Sequence, residues 1–197
     1  MSIKIGITGG IGSGKTVISK LLATMGIPVY LSDIESKRIT VKNLHIRSEL
    51  ISLLGREIYV NGELNKPLLA NYLFSNADHA RTINNIIHPQ VKIDFRNWAI
   101  SFSSYPIVAM ESAILIESGF ANEVDKIIMV YSPLEVRIKR TIERDSTNKE
   151  AVMQRIQHQM NDEKKINMAD YIIMNDNDAP LIPQVAGIVE KLTQDIH

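Results

Sequence analysis

The segment from residue 9 to residue 16 carries the pattern that most constrains what this chain can fold into. Five of the ten glycines lie before residue 15, and Gly9-Gly10-Ile11-Gly12-Ser13-Gly14-Lys15-Thr16 fits G-x-x-x-x-G-K-[ST] at every fixed position. An apolar run precedes it and an amphipathic segment follows, which predicts a strand, a loop and a helix. Glycines let backbone N–H groups turn toward an anion, and the helix N-terminus adds partial positive charge. The pattern predicts a phosphate-binding loop.

Two residues of this loop, Lys15 and Thr16, have specific expected roles toward a nucleoside triphosphate. Lys15 is expected to reach the β- and γ-phosphates, and the Thr16 hydroxyl to bind Mg²⁺. We also expect Lys15 to be exposed, so that little stability rests on it. A glycine-rich turn without a ligand is the alternative, while a dinucleotide-binding turn fails because Lys15 stands at its third glycine position. The candidate ATP contacts in this segment are Gly10, Ile11, Gly12, Ser13, Gly14, Lys15, Thr16 and Val17.

Composition excludes several other classes of site. Cysteine is absent, which rules out disulfides and thiolate chemistry, and none of the five histidines forms a close ligand pair. Lys plus Arg equals Asp plus Glu, so the formal net charge is zero and a generic nucleic-acid binder is not expected. No apolar run approaches the roughly 20 residues that span a bilayer, and the N-terminus does not resemble a signal peptide. We therefore expect a cytosolic protein with no membrane segment.

Apolar runs alternate with helical patterns along the chain, which predicts an α/β fold with a parallel sheet. The segment 34–102 is expected to be mostly helical and is longer than one crossover needs, so it predicts an inserted helical subdomain. Strands are predicted at 3–8, 27–31, 107–110, 126–131 and 171–174, and a closing helix at 181–192.

A basic helix follows the strand at 126–131. Ser132 and Thr147 are each predicted to start a helix as the first residue of a capping box, with a break at 144–146. The two helices would form a mobile hairpin, and guanidinium groups on it would clamp phosphate oxygens. The alternative is a solvated helix face that pairs with its own acidic residues. The arginines concerned are Arg137, Arg140, Arg144 and Arg155.

Asp33 follows the second predicted strand. Ligands of open parallel sheets bind beyond the carboxyl ends of the strands, so Asp33 is expected near Lys15 and Thr16. Its carboxylate would accept the proton of an acceptor hydroxyl or hold Mg²⁺ through water. The alternative is an N-cap for a helix that begins at Ile34.

The phosphate loop alone leaves three classes open: a small-molecule kinase, a GTPase switch and an ATPase motor. The chain has neither D-x-x-G nor N-K-x-D, and the strand at 107–110 ends in Glu111 alone rather than Asp-Glu. A kinase of a small molecule fits best. A kinase of another small nucleotide or nucleoside, and a nucleotide-binding switch protein, remain as alternatives.

Motifs along nearly the whole chain resemble those of the dephospho-coenzyme A kinase family. They are the loop from Thr8 to Lys15, Asp33, Asn61-Gly62-Glu63-Leu64, His88-Pro89, Glu117-Ser118-Gly119, Lys139-Arg140-Thr141, Arg144-Asp145, Arg155 with Gln159, and Ala169-Asp170 with Asn175. That family uses ATP to phosphorylate the 3′-hydroxyl of dephospho-coenzyme A. Two positions depart from its pattern. Leu31 stands where many members have a second acid, so Glu111 or water would replace it at Mg²⁺, and Ala113-Ile114-Leu115-Ile116 replaces Pro-Leu-Leu-Phe.

The resemblance implies a three-layer α/β/α P-loop kinase with a five-stranded parallel sheet. It divides the chain into a nucleotide-binding core (1–33, 103–136 and 166–197), a helical acceptor insertion (34–102) and a helical lid (137–165). Asp33, Lys15 and Arg140 would be catalytic, with Mg²⁺ at Thr16 and, through water, at Asp33. ATP and dephospho-coenzyme A would be the small-molecule substrates, and no obligate protein partner is implied. Further ATP contacts would be Arg144 and Asn175, and acceptor contacts His88, Glu117 and Arg155; His88 has the alternative role of fixing a turn before Pro89.

Overall fold

A computed structural model describes residues 2–194 of the chain; residues 1 and 195–197, where the predicted core segment 166–197 ends, lie outside the described part. Two 3₁₀ turns are formed by Arg56–Ile58 and Phe120–Glu123. The strands are β1 (Ile3–Thr8), β2 (Val29–Leu31), β3 (Tyr59–Val60), β4 (Glu63–Leu64), β5 (Ile107–Glu111), β6 (Lys126–Tyr131) and β7 (Tyr171–Met174). The helices are α1 (Lys15–Thr24), α2 (Ser32–Lys42), α3 (Leu44–Leu54), α4 (Lys66–Ser75), α5 (Ala77–Ser101), α6 (Leu134–Asp145), α7 (Lys149–Gln157), α8 (Asp162–Asn167) and α9 (Leu181–Gln194).

Five strands form one parallel sheet in the order β2-β5-β1-β6-β7. The central strands β1, β5 and β6 are almost continuously apolar because a parallel sheet is covered by its crossover helices. The helices α1 and α9 pack on each other and on the sheet. The predicted five-stranded parallel sheet with helices packed on it is confirmed. The buried core consists of Ile5, Ile7, Ile18, Leu22, Ile27, Ile107, Ala109, Ile128, Val130, Ile173, Val185, Ile188 and Leu192.

The parallel direction of the strands positions the functional loops. The carboxyl ends of β1, β5 and β6 are neighbours, at Thr8, Glu111 and Tyr131. The phosphate loop follows β1. The loop that leads to α6 follows β6, which is the neighbour of β1 in the sheet. Residues far apart in sequence therefore meet at one edge of the sheet, where ligands of open α/β sheets bind.

The described chain divides into two compact units. The first comprises the residues up to Leu31 and from Trp98 onward, and the second is Ser32–Asn97. In the second unit α2 packs on α3, and α3 and α4 contact the 3₁₀ turn Arg56–Ile58. Its buried apolar residues are Ile39, Ile46, Leu50, Ile58, Ile83, Val91 and Phe95.

The second unit contains a hairpin that the helical prediction for 34–102 lacked. The strands β3 and β4 pair antiparallel, with Tyr59 opposite Leu64. Asn61 and Gly62 connect them with φ values of 51° and 85°, as a two-residue turn with positive φ at both positions requires. Asn-Gly between two short apolar stretches is a known hairpin signal, so the sequence contained the information.

Three predicted element starts are wrong. Helix α6 begins at Leu134 with no side-chain cap, because the Ser132 hydroxyl instead accepts a hydrogen bond from Arg140 Nη1 (3.3 Å). Helix α7 is capped by Asn148 rather than Thr147, since Asn148 Oδ1 accepts from the N–H of Ala151 at 2.9 Å. Strand β2 starts at Val29 because the N–H of Ile27 closes the last turn of α1 on Leu22 O (3.0 Å).

Within the described chain, no helix combines the length and apolarity needed to cross a membrane.

Candidate active site

The phosphate loop joins β1 to α1 as predicted and folds around its own lysine. Lys15 Nζ donates hydrogen bonds to the carbonyl oxygens of Gly9 (3.0 Å) and Gly10 (3.1 Å). Lys15 is only 9% exposed, so the prediction of an exposed lysine is wrong. Gly14 precedes α1 with φ 94°, a left-handed conformation that side chains disfavour. The ammonium is therefore held at the start of the helix, where anions bind.

Helix α6 packs directly on this loop and brings a buried arginine to it. A methyl group added to Gly10 would lie 1.5 Å from Arg137 Nη1, so the guanidinium covers the Gly10 backbone. Arg137 is 4% exposed, and its Nη2 forms an ion pair with Asp162 Oδ2 at 2.8 Å. Glycine at position 10 is thus needed here for close packing by Arg137.

Two predicted residues, Arg140 and Asn175, meet beside the phosphate loop. Asn175 Nδ2 donates to Ser13 O at 2.7 Å. The Arg140 guanidinium donates to Asn175 O (3.1 Å) and Asn175 Oδ1 (3.2 Å), and also to Asn177 Oδ1. Arg140 is therefore held by a turn that itself contacts the loop.

A carboxylate stands next to the predicted Mg²⁺ ligand. Thr16 Oγ1 lies 3.4 Å from Glu111 Oε1, and Ser19 Oγ donates to Glu111 Oε2 at 2.8 Å. A hydroxyl and a carboxylate are oxygen donors of the kind that Mg²⁺ prefers. Among the described residues, no group of three or more His, Cys, Asp or Glu side chains could hold a metal ion.

Arg144 and Arg155 both form ion pairs with Asp145. Asp145 receives hydrogen bonds from Arg144 Nε (2.7 Å) and from Arg155 Nη1 (2.8 Å). The bond from Arg144 holds the pKa of Asp145 below its ordinary value and raises the pKa of Arg144. Val17, the remaining predicted ATP contact, is 48% exposed on α1.

Glu117, a predicted acceptor contact, is bound to the segment that leads into α8. Its Oε1 accepts from the N–H of Met160 and from Lys165 Nζ, each at 2.8 Å. Lys165 is fully buried and also donates to Ala113 O at 2.8 Å. This buried lysine had no sequence signal, because lysine is usually exposed.

The second unit carries Asp33 and His88. Asp33 is exposed in the first turn of α2, which begins one residue earlier, so its interpretation as an N-cap is wrong. His88 and Pro89 both lie inside α5, so His88 fixes no turn. Burial, and secondly the charge of Lys92, lower the pKa of His88.

Comparison with known proteins identifies the family of this chain. Residues 3–180 match the family described as dephospho-CoA kinase. This chain belongs to the dephospho-CoA kinase family. It is similar to the dephospho-CoA kinase of Bacteroides fragilis strain ATCC 25285, with 54% identity over 197 residues, covering 100% of this chain and 96% of the relative.

Solved structures share the fold of this chain. A protein from Thermus thermophilus is similar with a TM-score of 0.81 and 28% identity, covering 100% of this chain and 98% of that one. The structure of dephospho-CoA kinase from Campylobacter jejuni matches with a TM-score of 0.71 and 22% identity over 100% of both chains. The latter likeness shows the fold alone. The chain is a P-loop kinase that acts on small molecules and uses ATP.

Sequence reasoning missed several residues that hold this site together. Ser19, which orients Glu111, lies three residues after Thr16 on α1, and that spacing was a usable signal. Asp162 and Lys165 gave none, because nothing local shows that a charged residue of a polar segment will pair with a residue far away in the sequence.

Proposed function

We propose that this chain transfers the γ-phosphoryl group of ATP to the ribose 3′-hydroxyl of dephospho-coenzyme A, giving coenzyme A and ADP. The observation that carries the proposal is the phosphate loop with its lysine, beside Glu111 and Arg140, in a chain of the dephospho-CoA kinase family. This reaction is the last step of coenzyme A synthesis.

The donor side of the reaction uses the first unit. The N–H groups of the loop and the positive end of α1 attract the phosphates of ATP. Lys15 is held by two loop carbonyls, so its charge is placed to offset that of the β- and γ-phosphates. Arg140 would add a planar guanidinium on the transferring group, and Asn175 supports both the loop and Arg140. Loop residues 10–17 and Arg144 complete the proposed ATP contacts.

Mg²⁺ is assigned to Thr16, with Glu111 and Asp33 acting through water. The hydroxyl of Thr16 and the carboxylate of Glu111 fit this ion, because they bring oxygen donors to one place. When bound, Mg²⁺ offsets the negative charge of the β- and γ-phosphates. Ser19 keeps the Glu111 carboxylate turned toward Thr16.

Asp33 is the proposed general base. It is an exposed carboxylate two residues beyond the carboxyl end of β2. The 3′-hydroxyl oxygen of the acceptor forms a bond to the γ-phosphorus, and its proton passes to the Asp33 carboxylate. The bond between the γ-phosphorus and the β,γ-bridging oxygen breaks, and ADP leaves with that electron pair. Lys15 and Arg140 stabilise the charge during transfer.

Acceptor binding is assigned to residues 34–102, with His88 as a contact there, and to Glu117 and Arg155. Glu117 and Arg155 have protein partners in this structure, Lys165 and Asp145, so contact with the acceptor requires an exchange of these partners. The segment 137–165 is the proposed lid, which excludes water when it closes. A cytosolic location and the lack of an obligate protein partner also remain proposals.

An acceptor panel tests the proposal. The full chain with MgATP would be given dephospho-coenzyme A, AMP and adenosine separately and in competition, and products would be identified by mass spectrometry. We expect the main product to be coenzyme A, formed from dephospho-coenzyme A by phosphorylation of its 3′-hydroxyl. The Lys15→Ala variant, which should form none, is the control for contaminating kinases. A higher kcat/KM for AMP or adenosine would replace the proposal with a nucleotide or nucleoside kinase. ATP hydrolysis independent of any acceptor would indicate a switch protein.

A further inference from the structure

Arg137 is a buried cation at the phosphate loop to which the proposed reaction assigns no role. Its guanidinium lies against the Gly10 backbone, with Nη1 1.5 Å and Cζ 2.7 Å from the place of a Cβ at Gly10. Its own carbonyl oxygen would lie 2.4 Å from a Cβ at Gly12. The first turn of α6 is thus packed against two positions of the loop.

The segment 159–162 contacts the same part of the loop. Asp162 Oδ2 pairs with Arg137 Nη2 at 2.8 Å, and Asp162 Oδ1 would be 3.3 Å from a Cβ at Gly10. Gln159 Oε1 accepts from the N–H of Ile11 at 2.9 Å. Two neighbouring loop residues, Gly10 and Ile11, are therefore covered by side chains of one short segment.

The electrostatics make this contact depend on Asp162. The Arg137 side chain is 5% exposed, and its Nε is buried without a hydrogen-bond partner among the described residues. A buried cation is stable only when it is paired, and the carboxylate of Asp162 supplies that pairing. If Asp162 moves away, Arg137 loses its counter-charge, and its burial against Gly10 is no longer favourable.

We propose that Arg137 is a positioning residue which, paired with Asp162, holds the Gly10–Ile11 part of the phosphate loop in the shape that binds ATP. Arg137 acts through the loop backbone, and Asp162 acts through Arg137. The affinity for ATP thereby becomes linked to the docking of segment 159–162. The inference rests on the proposed use of ATP but not on the identity of the acceptor.

Direct binding measurements test this inference without any acceptor. The dissociation constant of a non-hydrolysable ATP analogue with Mg²⁺ would be measured by calorimetry for the full chain and for Arg137→Gln, Asp162→Asn and the double variant. We expect each single change to raise Kd about tenfold, equivalent to about 1.4 kcal/mol. The double variant should be no weaker than the weaker single one, because the two residues act as a unit. Lys139→Gln, an exposed change on the same helix, should leave Kd unchanged.

Steady-state kinetics separate positioning from other roles. We expect the KM for ATP to rise in Arg137→Gln while the KM for dephospho-coenzyme A stays the same, with partial recovery in Arg137→Lys. An unchanged Kd with a lowered melting temperature would make the pair purely structural and overturn the proposal. A fall in kcat with unchanged Kd would also overturn it, since Arg137 would then act on the transferring phosphoryl group. If Arg137→Gln does not fold, Asp162→Asn and Gln159→Ala carry the same expectation.

A steric test gives a second measurement. Gly10 does not have a left-handed φ, so alanine fits its backbone and only Arg137 and Asp162 oppose the added methyl group. Gly10→Ala should weaken binding of the ATP analogue, because the added methyl group displaces the Arg137 guanidinium. Adding Arg137→Ala should then cost less than it does in the unchanged chain, since the contact it removes is already lost. Binding by Gly10→Ala as tight as that of the unchanged chain, or the full additional loss in the double variant, would contradict the packing of Arg137 on Gly10.

Discussion

Oε1 of Glu111 lies 3.4 Å from the hydroxyl oxygen of Thr16, and Glu111 stands opposite Leu31 of the neighbouring strand β2. The strand register explains the contact, because β5 pairs with β1 and Glu111 stands opposite Ile7, just before the phosphate loop. Ser19 fixes the other carboxylate oxygen at 2.8 Å. Under the proposed assignment of Mg²⁺ to Thr16, Glu111 is therefore suited to orient a water ligand of that ion.

Glu111→Gln is expected to weaken Mg²⁺ binding by about 10- to 100-fold, the usual cost of losing a group that orients metal ligands. The amide keeps the size of the side chain but loses its charge. The measurement is the free Mg²⁺ concentration needed for half-maximal binding of an ATP analogue and for half-maximal turnover. Ser19→Ala should show a smaller change in the same direction. An unchanged Mg²⁺ requirement in Glu111→Gln would show that the carboxylate only binds the hydroxyl groups of α1 and has no role toward the ion.

Lys15→Ala is expected to lower kcat by at least about 10²- to 10³-fold, because a cation that offsets the charge of the transferring phosphoryl group is lost. Lys15 is buried and bonded to Gly9 and Gly10, so we also expect a lower melting temperature. Turnover and circular dichroism would be compared with Lys20→Ala, an exposed change on the same helix. Near-normal turnover with intact secondary structure would contradict the assignment of the phosphate loop.

Asp33→Asn is expected to lower kcat by about 10²- to 10⁴-fold, the usual contribution of general-base catalysis, with little effect on binding of the ATP analogue. Asparagine keeps the shape of the side chain and cannot take the proton. Glu35→Gln, in the same turn of α2, is the matched control and should keep most of the activity. A loss confined to ATP or Mg²⁺ affinity would move Asp33 from proton transfer to metal binding.

The sequence was sufficient for the parallel sheet because the features concerned are local. Glycine spacing, apolar runs and the position of Asp33 can all be identified within a few residues. The contacts of Arg137 with Asp162 and of Glu117 with Lys165 join segments 25 and 48 residues apart, and no local pattern indicates them. The sequence places Arg137 on a basic helix face that either clamps phosphate oxygens or is solvated, and neither interpretation indicates that it is buried on the loop. The capping box predicted at Ser132 is wrong because its hydroxyl accepts a hydrogen bond from Arg140, eight residues further along the chain.

His88 should make the stability of the protein depend on pH. Burial, and then the charge of Lys92, lower its pKa in the folded state. Above the ordinary histidine pKa of about 6.5, both states hold it neutral and it has no effect. As the pH falls below that value, the unfolded state binds a proton that the folded state disfavours, so the free energy of unfolding falls.

The measurement for His88 is urea unfolding between pH 5 and 8, within roughly the range where histidines titrate. The chain with His88→Gln should lose less stability on acidification than the unchanged chain does. His158→Gln, at an exposed position, is the control and should follow the unchanged chain. Parallel curves for the unchanged chain and His88→Gln would show that burial does not affect the protonation of His88.

Arg140→Lys is expected not to preserve activity, although the charge is kept. The guanidinium of Arg140 bonds the main-chain and side-chain oxygens of Asn175 with two nitrogens at once (3.1 and 3.2 Å), and a lysine ammonium cannot reproduce this planar fork. The cation would therefore be displaced from the Asn175 turn that contacts Ser13 O. We expect kcat to fall by about 10²- to 10³-fold, as for other donors to developing charge.

The control for Arg140 is Asn175→Asp, which keeps an acceptor for Arg140 but replaces the donor to Ser13 O. It should weaken binding of the ATP analogue through the loop and retain more of kcat than Arg140→Lys does. If Arg140→Lys retained full kcat, a point charge alone would suffice at this position. If instead only its KM for ATP rose, Arg140 would belong to ground-state binding of ATP, because an interaction specific to the transition state must appear in kcat.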